Sequence, residues 1–135
     1  MSVPVILHLP HSSTEVPSEI RRSISLSDEE LKDELLKMTD HFTDELFTGH
    51  AVPVSPVIFP VSRLVLDPER FLEDDLETMS RKGTGVVYTK TSAGESLREK
   101  GFLPDRATLI HAYYEPHHDL LNRLAVRSIR EAGSC

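Results

Sequence analysis

The sequence predicts an α/β domain in which helices flank a mixed, mostly parallel sheet, a three-layer αβα arrangement. Three observations carry that expectation. Val3 to Leu9 is a short, nearly continuous apolar run closed by Pro10, the pattern of a strand buried on both faces. Ser27-Asp28-Glu29-Glu30 has capping-box spacing and leads into apolar residues at steps of three and four. A second strand-rich stretch then precedes a long C-terminal helical pattern, so strand and helix signals alternate along the chain. With 135 residues there is enough chain for one hydrophobic core and too little for two, so 1–135 is read as a single domain.

The first strand feeds the loop His11-Ser12-Ser13-Thr14-Glu15-Val16-Pro17, and loops beyond strand C-termini are where open α/β sheets bind ligands. The first long helix has an apolar stripe of Leu31, Leu35, Met38, Phe42 and Leu46, with Asp40 off the stripe and a stop at Gly49. Prolines 53, 56 and 60 interrupt the Val- and Ile-rich run from Val52 to Leu66, leaving Val61 to Asp67 as the predicted uninterrupted strand. Its alternation would put Arg63, Val65 and Asp67 on one face, and Leu64 and Leu66 on the other. An acidic stretch from Glu69 to Arg81 and the turn Gly83-Thr84-Gly85 precede a predicted short strand, Val86 to Thr89. Residues 90–100 read as a surface loop. Pro104 and Asp105 open a helix, interrupted at Pro116, that runs to Gly133. Tyr114, His118, Leu121, Ala125 and Ile129 share one of its faces, turning His118 to the core and His117 to solvent.

A net charge of -7 with no basic tract argues against nucleic acid or an anionic membrane surface as partner. The one cysteine, Cys135, excludes an internal disulfide and fits a reducing compartment. The N-terminal apolar run lacks a basic flank and is too short for a signal peptide or a membrane span, so a soluble, cytoplasmic protein is expected. No glycine-rich phosphate loop, HExxH, CxxC pair or GxSxG is present. Nucleotide-binding P-loops, zincins, zinc knuckles and common serine hydrolases are thereby set aside.

Four constellations remain. His11, at a strand end, is either a metal ligand or solvated, with Ser12 or Ser13 as the turn residue. Glu15 reads better as a solvated carboxylate. Thr39-Asp40-His41-Phe42-Thr43-Asp44-Glu45 offers carboxylate and imidazole donors that suit zinc, or simply a helix cap. In Ser62-Arg63-Leu64-Val65-Leu66-Asp67-Pro68-Glu69-Arg70, Arg63 and Arg70 can clamp a carboxylate, or Arg63 can pair with Asp67. In Tyr113-Tyr114-Glu115-Pro116-His117-His118, His118 is a buried hydrogen-bonded histidine or a site residue.

Taken in order, these segments resemble the N-formylglutamate amidohydrolase family. Pro10-His11-Ser12-Ser13 with Val16-Pro17 is similar to its "PHSG…IP", and Thr39 to Leu46 to its "D…VD.L". Ser62 to Arg70 is similar to "SRLVVDLNR", and Tyr114-Glu115-Pro116-His117-His118 to "Y.PYH". Ser13 stands where Gly is usual, Glu69 where Asn is usual, and His117 where Tyr is usual. The family continues into a strand with a "D.HS" motif, and this chain stops at Cys135. The resemblance thus implies an incomplete domain with a further ligand histidine beyond it. It also implies a fold similar to zinc carboxypeptidases, in which a strand-end "HS" and a "D.NR" recur. On that analogy His11 would hold the metal and Arg70 the substrate carboxylate.

The resulting expectation is a zinc-type hydrolase that cleaves the amide of a small acidic N-acyl amino acid such as N-formylglutamate. His11 and Asp40 are the expected metal ligands, Arg63 and Arg70 the substrate-binding pair, and His118 the catalytic residue. An open apolar sheet edge would favour a homo-oligomer, and the fragment alone would have little activity. The alternative is a catalytically dead binding or structural domain of the same fold.

Overall fold

The computed structural model describes residues 5–48 and 54–133. The expected strand start at Val3 and helix stop at Gly49 lie outside them. Strand β1 (Val5–Leu9) pairs in parallel with β2 (Val54–Ile58), in register from Val5 opposite Val54 to Leu9 opposite Ile58. Among the described residues these two form the whole sheet. Parallel neighbours need a long crossover, supplied here by α1 (Ser18–Arg21), α2 (Asp28–Met38) and α3 (Thr43–Thr48). Helices packed around a small parallel sheet make the domain α/β.

The sequence placed the second strand too late. Pro56 sits inside β2, opposite Leu7. A strand in a parallel ladder uses the N–H groups of alternate residues, so a proline is tolerated where its missing donor points away. Val61 to Asp67 is a turn instead of a strand. Ser62 Oγ accepts from the Leu64 amide at 3.1 Å, and the Ser62 carbonyl accepts from the Val65 amide at 2.9 Å. This local serine bonding outcompetes an extended ladder. Val86 to Thr89 is likewise irregular, because the carbonyl of Gly83 (φ 76°) takes both the Thr89 and Lys90 amides and curls the chain.

Helix α2 starts as predicted. Ser27 Oγ accepts from the Glu30 amide at 3.2 Å and Glu30 Oε2 accepts from the Ser27 amide at 2.8 Å, a complete capping box. It ends early, at Met38, where Thr39 turns extended and the Asp40 amide leaves the helix to reach the His11 carbonyl at 2.8 Å. Phe42 then adopts a left-handed φ of 64°, and α3 begins afresh. The expected stripe therefore breaks: Leu31 is buried, but Phe42 and Leu46 are exposed.

The C-terminal stretch forms α4 (Arg106–Leu109), a π-helical turn (Ile110–Tyr114) and α5 (Glu115–Gly133) without interruption. Asp105 caps it by accepting from the Thr108 amide at 2.9 Å. Pro116 would clash with the carbonyl four residues back in an α-helix. The chain meets this by widening the preceding turn, so that the Glu115 amide reaches back to Ile110. The widened turn also shifts the helix's phase. His117 is buried and His118 half-buried, the reverse of the predicted facing, and Ile129 is exposed.

Two apolar clusters make the core. Ile20, Phe59, Val61, Val65, Leu66, Val86, Val87 and Leu109 form one, and Ile24, Leu31, Leu64, Tyr88 and Leu97 the other. Much of this surface comes from the irregular segments 59–66 and 86–88, which explains their apolar composition without a strand. Among the described residues no helix is long and apolar enough to cross a membrane.

Candidate functional site

His11 lies just past the end of β1 and is buried. Its Nε2 is 2.8 Å from Asp67 Oδ1. Asp67 is fully buried, and its carboxylate collects further donors: Tyr88 Oη at 2.7 Å, Arg63 Nη2 at 3.0 Å and the Glu69 amide at 3.1 Å. Burial alone would raise the Asp67 pKa. The hydrogen bond and charge of His11, with Tyr88 and Arg63, reverse that and hold it well below the usual carboxylate range. Asp67 is therefore ionised and accepts only. His11 therefore carries a proton on Nε2, and in the neutral ring the Nδ1 lone pair is free.

That nitrogen faces Asp40, whose Oδ2 is 3.7 Å away. The two residues meet across 28 intervening positions because the Asp40 amide is bonded to the His11 carbonyl. The rest of the Thr39–Glu45 constellation disperses. His41 is exposed and bonds the Leu36 carbonyl, and Asp44 Oδ1 accepts from the Glu45 amide. Glu15 is exposed and its carbonyl takes the Ser62 amide, so its contribution is to the loop.

Arg63 donates to Asp67 and, from Nε, to Tyr88 Oη at 3.0 Å, so two of its donors are spent inside the protein. The ion-pair reading of this arginine is what the structure holds. A strand would have kept the Arg63 and Asp67 Cα atoms about 13 Å apart; the turn brings the side chains together. Burial and the nearby charge of Asp67, opposed by Arg63, raise the Tyr88 pKa to about 12, so the phenol keeps its proton and donates. Arg70 Nε approaches Asp67 Oδ2 at 3.4 Å without hydrogen-bond geometry, and its Nη1 is 4.0 Å from the buried Glu77.

Three buried polar atoms among the described residues have no hydrogen-bond partner: Ser12 Oγ, Thr39 Oγ1 and Arg70 Nε. They flank His11, flank Asp40 and belong to the Arg70 guanidinium, so the unsatisfied groups concentrate around one locality. Buried polar groups are normally paired, and such a concentration fits a ligand site.

His118 donates from Nε2 to the Pro68 carbonyl at 2.7 Å and stacks on Tyr114, with ring centroids 4.1 Å apart. Sequence reasoning missed its neighbours. His8 Nε2 lies 2.8 Å from His117 Nε2, and Glu69 Oε2 lies 3.8 Å from His11 Nε2. Burial, aided by His8 and His118, pushes the His117 pKa down to about 4. His8 is also lowered, chiefly by burial, with Glu69 opposing. The available signal for His8 was a polar residue inside an otherwise apolar strand.

Fold and site together define an α/β domain with a histidine–carboxylate centre at the C-terminal end of a parallel strand. The chain belongs to the N-formylglutamate amidohydrolase family, whose profile matches residues 3–135. It is also similar to the crystal structure of N-formylglutamate amidohydrolase from Ralstonia eutropha JMP134, with a TM-score of 0.81 and 19% identity, covering 98% of this chain and 51% of that one. At that identity the likeness concerns the fold, and the chain spans about half the length of that protein. A search among curated proteins finds no match.

Proposed function

We propose that this chain contributes to a zinc-type metal centre that hydrolyses the amide of a small acidic N-acyl amino acid such as N-formylglutamate. One observation carries the reading: Asp67 takes the Nε2 proton of His11 and leaves Nδ1 facing Asp40. Donor atoms about 2.1 Å from zinc in a tetrahedron stand about 3.4 Å apart. The 3.7 Å between His11 Nδ1 and Asp40 Oδ2 suits shared ligation. The alternative grouping of His11, Asp67 and Glu69 suits it less, because the 2.8 Å His11–Asp67 contact is a hydrogen bond and Asp67 is already saturated. Asp67 is better used as the carboxylate that orients a ligand histidine. When bound, such an ion polarises the scissile carbonyl and acidifies water.

The chain's own groups supply the rest. His118, with Nε2–H held by the Pro68 carbonyl, keeps Nδ1 as its basic nitrogen and is the proton carrier to the leaving amine. Arg70, with an under-used guanidinium, takes a substrate carboxylate. Arg63 was expected to share that task, but its bonds to Asp67 and Tyr88 assign it to keeping Asp67 charged and in place. The fold reading extends to a three-layer domain of the zinc-carboxypeptidase type, and the exposed apolar rim to a homo-oligomer. A cytoplasmic location completes this reading.

The test is zinc binding followed by an assay of N-formylglutamate hydrolysis, in this chain and in H11Q and D40N. The reading expects bound zinc to raise the Tm and EDTA to reverse the rise. Wild-type affinity in both variants would remove the site.

A further inference from the structure

We propose that His8 and His117 form a second cation site, distinct from the His11–Asp40 pair, that takes a borderline divalent ion of the zinc, nickel or copper type. The two Nε2 atoms point at each other across 2.8 Å, one from β1 and one from α5. Both rings are held. His117 is buried, with Phe59 edge-on at a centroid distance of 4.9 Å and His118 at 5.9 Å. His8 is fixed within the β1–β2 ladder.

A head-to-head imidazole pair has two stable uses. One ring can donate its Nε2 proton to the other, or both lone pairs can face one ion. Passing from the first to the second requires only that the donor ring carry its proton on Nδ1 instead, so no net proton is lost. Nitrogens about 2.1 Å from an ion stand about 3.0–3.4 Å apart, from square-planar to tetrahedral geometry. The pair therefore has to open by a few tenths of an ångström. Burial keeps both imidazoles in the neutral form that ligates.

Glu69 favours a cation there through its charge. It is half-exposed, its charge is felt at His8, and its Oε2 stands 3.8 Å from His11 Nε2, on the side of that ring turned away from Asp40. His117 and Glu69 are also two of the positions at which this sequence departs from the motifs it otherwise resembles.

The test is equilibrium dialysis against nickel and zinc with elemental analysis, on the wild type, H8N, H117Q and H11Q. H8N and H117Q should each retain one ion fewer than the wild type, and H11Q should retain the His8–His117 ion whatever becomes of the other site. Independently of any variant, substoichiometric copper(II) should broaden the imidazole NMR signals of His8 and His117 before those of the exposed His41 and His111. Unchanged stoichiometry in folded H8N and H117Q overturns the proposal. So does broadening that begins at His41 or His111, which also decides the matter if the variants fail to fold.

Discussion

Asp67 accepts from His11, Arg63, Tyr88 and the Glu69 amide at once, so its negative charge and its position serve the same site. D67N keeps the shape but leaves the Arg63 guanidinium without its counter-charge and frees the His11 tautomer. Urea unfolding should show a loss of about 3–5 kcal/mol. Zinc competition should show a 10- to 100-fold weaker site, roughly the effect of removing an orienting carboxylate. His117 makes a second prediction, on pH. Its folded pKa of about 4 lies below the unfolded value near 6.5, so the unfolded chain binds the proton first. The stability due to neutral His117 is complete above about pH 6.5 and is lost as the pH falls toward 4. H117F, which cannot titrate, should flatten the Tm profile over that window. Asp67 acts lower: its depressed pKa leaves its contribution intact until the pH drops below the usual carboxylate range.

The elements were legible where local chemistry decides them. The α2 capping box is contiguous in sequence and closed in the structure, and S27A should cost about 1 kcal/mol in thermal or chemical unfolding. The end of α2 was not legible. The amide of Asp40 leaves the helix for the carbonyl of His11, a partner far away in sequence, and no periodicity announces such a bond. The same applies to 61–67. Alternating Arg63, Val65 and Asp67 read as strand, yet Ser62 folded the segment into a turn, and that turn brought Arg63 to Asp67. Pro116 was read as an interruption and was absorbed by a π-helical turn, which rotated His117 inward.

Across the whole molecule, Arg98 joins segments that the sheet does not. Its guanidinium is buried, donates to the carbonyls of Tyr88 at 2.6 Å and Val65 at 3.3 Å and to Ser23 Oγ at 3.3 Å, and lies over Phe102. Among the described residues it has no ion-pair partner, and burial lowers its pKa to about 10. R98M should therefore cost about 2–4 kcal/mol, since the carbonyls it satisfies stay buried. Unfolding within about 0.5 kcal/mol of wild type would show that water replaces it. A further prediction concerns the rim where α3 lies against β1 and β2. Phe42, Leu46, Phe47 and Ile58 are exposed there, and exposed apolar groups of this kind can mark an association surface. Sedimentation should detect concentration-dependent association that F42D and L46D abolish.

The sequence by itself determined the α/β class, the capped helix, the long C-terminal helix and the family. These rest on contiguous signals: an apolar run, a four-residue cap, an i, i+4 stripe and motifs in fixed order. It also singled out His11, Asp40, Arg63, Arg70 and His118. The tertiary structure alone decided which of them touch. Asp67 became the hub, Arg63 turned to it, and Asp40 was drawn to His11 while His41 and Asp44 were left aside. His8 met His117 only because a widened helical turn rotated one histidine toward the strand bearing the other. The physical reason is common to all of these. A local pattern sets the direction in which a backbone runs, whereas a buried polar group takes whichever partner the packing brings within hydrogen-bonding distance.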